Sequence, residues 1–286
     1  MSILPLVSVS CITYNHKKYI RDAIESFLMQ RTDFPIEIII HDDASTDGTT
    51  EIVKEYEGKY PNLIYPIFQK ENQYSKGIKP LFEYVFPKTR GKYIALCEGD
   101  DYWIDSYKLQ KQIKLLEENS EYSMCFHNAY IVWEGKKKKR KFCDCDKSLY
   151  NTIDLIEKNW FIPTQSIVYR KNDFEYKEWM NFVFGGDYVL QLFLSTKGDI
   201  YYIDEVMSVY RMHRKGLSES KMPLYHNVKM VDRLSYFNYY TNFKYNTYIQ
   251  KRFERLMMCP GNRMLSKCIL RNIIKKIFGS MCFFCC

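Results

Sequence analysis

"IEIIIHDDASTDGTTEIVKEY", residues Ile36 to Tyr56, passes from a nearly continuous apolar run through a polar turn into a helical repeat. Ile36, Ile38, Ile39 and Ile40 read as a strand buried on both faces, because a half-buried strand would alternate with polar residues. Asp47 or Gly48 can start a helix whose apolar side carries Ile52, Val53 and Tyr56. The same alternation lies on either side. "LVSVSCIT" (Leu6 to Thr13) precedes Tyr19, Ala23, Ile24, Phe27 and Leu28 at helical spacing, with Asn15 placed as an N-cap. "LIYPIF" (Leu63 to Phe68), a helix-like stretch near Leu81 to Phe86 and "KYIALC" (Lys92 to Cys97) follow. Buried strands separated by helices predict an α/β fold with a mostly parallel central sheet.

Ligands of such sheets bind beyond the carboxyl ends of the strands. Thr13-Tyr14-Asn15, Asp42-Asp43 and Glu98-Gly99-Asp100-Asp101 all fall there, at the ends of three separate strands. The adjacent carboxylates Asp100 and Asp101 resist joint ionisation unless a cation or hydrogen-bond donors compensate, which points to a metal. After a helix from about Ser106 to Glu118 the pattern becomes mixed. "YSMCFHNAYIVW" (Tyr122 to Trp133), "KKKKRKFC" and "TQSIVYR" (Thr164 to Arg170) read as strands, with the lysine run in a solvated connection. A helix around Asp187 to Thr196 leads into "DIYYIDEVMSVYRMH" (Asp199 to His213), and from Gly216 the chain is basic, aromatic and helical in pattern. This divides it into residues 1–215 and a carboxy-terminal extension, 216–286.

The 286 residues, 46% hydrophobic and 27% charged, are those of a folded globular protein and exclude a disordered chain. The net charge of +8 favours anionic partners. Because the excess is concentrated in Lys136 to Lys141 and in the last third, it fits a surface or membrane better than a nucleic-acid groove, and no nucleic-acid partner is predicted. The ten cysteines have no zinc-finger spacing, "CDC" (Cys143, Cys145) being too tight for a CxxC pair. They suit a reducing compartment. The amino terminus is too short and too weakly basic for a signal peptide, and no apolar run reaches about 18 residues. A cytoplasmic chain is expected. Its tail, "CILRNIIKKIFGSMCFFCC", either lies on a membrane surface through Ile269, Ile273 and Ile277 or packs on the remainder of the protein.

Five pieces in order, "VSVSCITYNHKKYIRDAIESFLMQ", "IEIIIHDDASTDGT", "GKYIALCEGDDYW", "FGGDYVL" and "IDEVMSVYRMH", resemble the family 2 glycosyltransferases of the GT-A fold. The resemblance spans roughly residues 5 to 213. It implies an inverting transfer of a sugar from a nucleotide-diphosphate donor, UDP-linked, to a carbohydrate or lipid-linked acceptor in cell-surface polysaccharide synthesis. It also implies a divalent metal, Mn2+ or Mg2+. Carried onto this sequence, it places Asp101 and His213 on the metal and Asp100 near the ribose. Asp43 is placed against uracil N3–H, with Tyr14 stacking nearby and Thr13 lining the pocket. Asn15 joins this nucleotide-binding set, and Arg211, sharing a face with His213 on alternation, approaches the pyrophosphate. Asp187, after the double glycine, takes the place of the catalytic base, with Glu205 the next carboxylate to consider. Two other readings stand beside this one: a sugar-nucleotide nucleotidyltransferase, whose glycine-rich triphosphate loop is replaced here by "TYNHKKY", and an inactive homologue that scaffolds a membrane assembly.

Overall fold

The computed structural model describes residues 4–258 apart from 159, 184, 215 and 217–222. Its strands are β1 (Val7–Thr13), β2 (Ile36–Asp42), β3 (Ile64–Phe68), β4 (Tyr93–Leu96), β5 (Tyr102–Trp103), β6 (Tyr122–Trp133), β7 (Lys139–Lys141), β8 (Leu149–Tyr150), β9 (Val168–Arg170) and β10 (Asp199–Met212). The helices are α1 (Ile20–Leu28), α2 (Thr49–Lys59), α3 (Lys108–Glu118), α4 (Thr152–Glu157), α5 (Gly186–Leu194), α6 (Pro223–Tyr240) and α7 (Asn246–Met258).

All ten strands join one sheet in the order β3-β2-β1-β4-β9-β6-β10-β5, with β7 beside β6 and β8 beside β10. The pairs β3–β2, β2–β1, β1–β4 and β6–β10 are parallel, whereas β9 runs antiparallel to both β4 and β6. The register opposes Thr13 to Asp42, and Gly99 N–H donates to the Ile12 carbonyl at 2.9 Å. The carboxyl ends of β1, β2 and β4 therefore open onto one cleft. Gly99 is required there: a Cβ would sit 2.6 Å from Thr13 Oγ1.

Strand alternation separates the core into two layers. Tyr93, Ala95 and Cys97 face Val9, Ile24, Phe27, Ile38, Val53 and Ile113. Ile94 and Leu96 face Phe126, Tyr188 and Leu190 on the other side, joined there by Leu234, Phe237 and Ile249 of α6 and α7. The described part of the carboxy-terminal third thus packs on the sheet. The tail from Cys268 onward lies outside the described residues.

Several elements differ from the sequence expectation. Leu81–Val85 is a single π-helical turn followed by a 3-10 turn at Phe86–Lys88, because Pro87 has no N–H to continue an α-helix. In "TQSIVYR" only Val168–Arg170 is a strand; after Pro163, residues 164–166 form a 3-10 turn tied by Ser166 N–H to the Pro163 carbonyl. The lysine run forms a hairpin limb in which only Lys139–Lys141 pairs with β6. Strands β5 and β8 and helix α4 are additions. The α4 signal was present as a capping box, Asn151 accepting from Asp154 N–H and Asp154 accepting from Asn151 N–H.

Candidate active site

Asn15 does not cap α1, which begins at Ile20 with no side-chain cap. Its N–H instead donates to Ser45 Oγ at 2.9 Å, and its Oδ1 accepts from Thr46 N–H at 2.8 Å, tying the loop after β1 to the loop after β2. Asn15 and Ala44 both carry positive φ, 56° and 64°. Strain of this kind persists where surrounding contacts over-determine the backbone. Tyr14 is 44% exposed over the cleft, while Thr13 is fully buried and its Oγ1 has no protein partner.

The acidic pair at the end of β2 is consumed by its own loops. Asp42 accepts from Ser45 N–H and Ser45 Oγ on one oxygen and from Thr50 Oγ1 on the other. Asp43 accepts from Gln73 N–H at 2.8 Å and Tyr74 N–H at 3.0 Å, which ties down the turn at Tyr74–Lys76. Both are almost completely buried. An ionised carboxylate offers about four lone-pair sites, so Asp43 retains acceptor capacity for a further N–H.

The pair at the end of β4 is arranged differently. Asp100 Oδ2 lies 3.0 Å from His213 Nε2 and 3.7 Å from His16 Nε2. Burial works to raise the Asp100 pKa, but the His213 hydrogen bond and the two rings hold it below its usual value. Asp101 points the other way: Oδ1 accepts from Arg211 N–H at 2.8 Å, and Oδ2 is buried without a protein partner. Burial and then the Asp100 charge raise Asp101 well above the ordinary carboxylate range, against the Arg211 amide. Glu98 is exposed at the cleft. Partial loss of hydration, followed by the charges of Asp100 and Asp187, pushes it up to about 8, a rise its access to water tempers.

His16, from the loop after β1, was not among the residues singled out from sequence. Its ligand atom, with those of Asp100 and His213, lies in a group whose members are all within 4.8 Å of one another. Glu98, Asp100 and Asp101 form a second such group, sharing Asp100. Burial lowers the His16 pKa, so its ring is biased to the neutral form that offers a lone pair. Its Nδ1 is buried and unpartnered, as is Asp101 Oδ2. A nitrogen-oxygen donor set with unsatisfied buried atoms fits a divalent transition ion.

Arg211 is already engaged: its guanidinium reaches the Asp100 carbonyl at 3.3 Å and Asp22, and lies 4.4 Å from the Tyr102 ring centre. Asp187 stands in the first turn of α5, not at its cap, which is Gly185 with φ 79°. Thr164 Oγ1 donates to Asp187 Oδ2 at 3.2 Å. A Cβ on Gly185 would meet Arg233 of α6 at 2.8 Å. Lys79 is held below the usual lysine pKa by burial and then by Arg233 and Lys229, while Asp187 opposes that shift. Asp187 thus has a basic neighbourhood built partly by α6, which the motifs did not reveal. Glu205 is held by Lys111 at 2.5 Å.

The family model described as "Glycosyl transferase family 2" matches residues 8–190. An uncharacterized protein of Mycobacterium tuberculosis is 39% identical over 214 residues, 75% of this chain and 61% of the relative, so the chain spans about three fifths of that relative's length. TuaG of Bacillus subtilis, named for teichuronic acid biosynthesis, is 30% identical over 218 residues, 76% of this chain and 83% of TuaG. Among solved structures, S. aureus TarS in complex with UDP-GlcNAc superposes with a TM-score of 0.60 at 19% identity, covering 81% of this chain and 65% of that one. A mannosyltransferase of Pyrobaculum calidifontis in complex with GDP-Man and Mn2+ gives 0.59 at 13% identity, covering 90% and 71%. The shared fold is GT-A.

Proposed function

The chain belongs to glycosyl transferase family 2, and from that premise we propose that it transfers a sugar, with inversion, from a UDP-linked donor to a carbohydrate or lipid-linked acceptor in cell-surface polysaccharide synthesis. The observation that carries this reading is the meeting of His16, Asp100 and His213 at the strand ends, with Asp187 near enough to Glu98 for its charge to act there. Relatives support the pathway class: TuaG is named for teichuronic acid biosynthesis, and a 34% identical Escherichia coli relative is named as a glucosyltransferase using a UDP-Glc donor and a diphosphoundecaprenol-linked acceptor.

In this reading His16, Asp100 and His213 would hold the divalent cation, and Glu98 and Asp101 form a second carboxylate group that shares Asp100. The sequence expectation placed Asp101 and His213 on the metal and Asp100 near the ribose; this reading adds His16 and moves Asp100 to the metal. Two imidazoles favour Mn2+ over Mg2+, which prefers oxygen ligands. A cation bound there neutralises charge on the departing diphosphate. Asp43 accepts uracil N3–H with its remaining lone pairs, Tyr14 lies against the base, and Thr13 Oγ1 and Asn15 shape the pocket floor. Arg211 positions Asp101 through its backbone and turns its guanidinium toward the pyrophosphate side. Asp187, oriented through Oδ2 by Thr164, takes the proton from the acceptor hydroxyl, since a neutral hydroxyl is a poor nucleophile. Lys79, Lys229 and Arg233 beside it suit an acceptor carrying phosphate, as a lipid-linked one does.

Residues 1–215 carry the metal, nucleotide and base groups, and α6 brings Lys229 and Arg233 to the acceptor side. We place the reaction at the cytoplasmic face of a membrane; among the described residues no helix is long and apolar enough to cross one. Incubating the full chain with a panel of nucleotide sugars and a lipid-phosphate acceptor, with Mn2+, Mg2+ or EDTA, tests the proposal. Consumption of a UDP-sugar that EDTA abolishes is expected. Metal binding with no turnover of any donor would favour the scaffold reading instead.

A further inference from the structure

Cys143 and Cys145 lie away from the cleft, in the loop between β7 and β8, with their sulfurs 3.3 Å apart. Both are free thiols. Asn128 of β6 clamps the first: its Nδ2 donates to the Cys143 carbonyl at 2.7 Å, and Cys143 N–H donates to its Oδ1 at 3.2 Å. Cys143 is 7% exposed, whereas Cys145 is partly open to solvent. The sulfurs are already in contact, against the roughly 2 Å of a disulfide.

We propose that Cys143 and Cys145 are a dithiol modification site that exchanges with low-molecular-weight disulfides and closes to an intramolecular disulfide. The two thiols are chemically unequal. The Cys145 thiol is lowered below the ordinary cysteine value by its contact with Cys143, against burial and with help from Tyr150 and the Lys158 ammonium. The Cys143 thiol is raised by the same contact and by burial. Cys145, the sulfur partly open to solvent, is the attacking one, and the buried Cys143 the resolving one.

The Cys145 thiolate attacks one sulfur of RSSR, forming Cys145–S–SR as the RS–SR bond breaks and RS⁻ leaves to take a proton. Cys143 then gives up its proton and attacks Cys145 Sγ, forming the intramolecular bond and expelling the second RS⁻. Two thiols and one small disulfide become one protein disulfide and two small thiols, the two electrons passing to the small disulfide. The product pins the loop after β7 at a point that Asn128 already fixes to β6.

The test equilibrates the full chain in mixtures of reduced and oxidised glutathione, quenches with acid, alkylates under denaturing conditions and maps the peptides by mass. As the mixture becomes oxidising, the peptide carrying both residues should escape alkylation and lose two hydrogens, while Cys11, Cys97 and Cys125, all buried, stay alkylated. Cys143→Ser should trap glutathione on Cys145. In Cys145→Ser, Cys143 should react at least about tenfold more slowly than Cys145 does in Cys143→Ser, as expected of a buried, un-ionised thiol. Full alkylation of both residues in the most oxidising mixture, a mixed disulfide that never closes in the unsubstituted chain, or equal reactivity of the two single variants would each overturn the assignment.

Discussion

Two pairs of adjacent aspartates end neighbouring strands, and their fates diverge. Asp42 and Asp43, at the end of β2, are met by neutral donors three to thirty-one residues downstream: Ser45, Thr50, and the amides of Gln73 and Tyr74. Asp100 and Asp101, after β4, meet groups more than a hundred residues away, His213 and the Arg211 amide, and one of their oxygens is left buried and unpaired. Neutral donors satisfy a carboxylate without compensating its charge in full, so the first pair can fix loops. The second pair is poised for a cation because its neighbours are rings with lone pairs and like charges. A carboxylate pair becomes a ligand site where folding leaves it under-satisfied.

The strongest test of that contrast lies outside both pairs. Asp187→Asn should lower turnover by about 10² to 10⁴ with donor affinity nearly unchanged, the usual cost of losing a positioned general base. Normal turnover, or a joint loss of stability and donor binding, would make Asp187 a structural partner of Thr164. Next in size, Asp100→Asn should weaken Mn2+ binding by at least about 10-fold to 100-fold, read by calorimetry without donor. Asp42→Asn should leave Mn2+ affinity unchanged; equal losses in both would erase the distinction between the pairs.

Asp43→Ala sharpens the first pair. It strands two amides and removes the acceptor assigned to uracil, so UDP binding should fall by roughly 1 to 3 kcal/mol. A larger loss for UDP than for ADP supports base recognition, whereas an equal loss would assign Asp43 to holding the turn at Tyr74–Lys76.

The smallest effect concerns the layer beneath the second pair. Lys108 is fully buried, its Nζ 4.1 Å from the Trp103 ring centre and without a hydrogen-bond partner. Burial brings its pKa from 10.5 down to about 7. Below that value both folded and unfolded states hold the proton. Between about 7 and 10.5 only the unfolded state does, so stability should rise with pH, by about 1 kcal/mol from pH 7 to 8. Chemical denaturation across this range checks it, and Lys108→Met should flatten the rise. An unchanged slope would show that the ammonium reaches water.

Periodicity alone made the parallel half of the sheet legible, because strands buried on both faces are apolar throughout and helices between them repeat every three to four residues. The strand-end position of both aspartate pairs followed from it. Motif order carried Asp187 and His213. The short strands β5 and β8 were illegible, since two residues hold no period. Lys108 begins α3 and reads like any surface lysine.

Which oxygen stays free could not be read along the chain. His16 is one of five histidines and has no spacing relation to Asp100 or His213; they meet because β1 and β4 are neighbours while β10 returns past β5 with its end at the same cleft. Sequence determines what each strand end carries, because burial and periodicity are local properties. Tertiary structure alone decides how Asp100 and Asp101 are met, because Arg211 and His213 arrive on β10 through the order of the sheet.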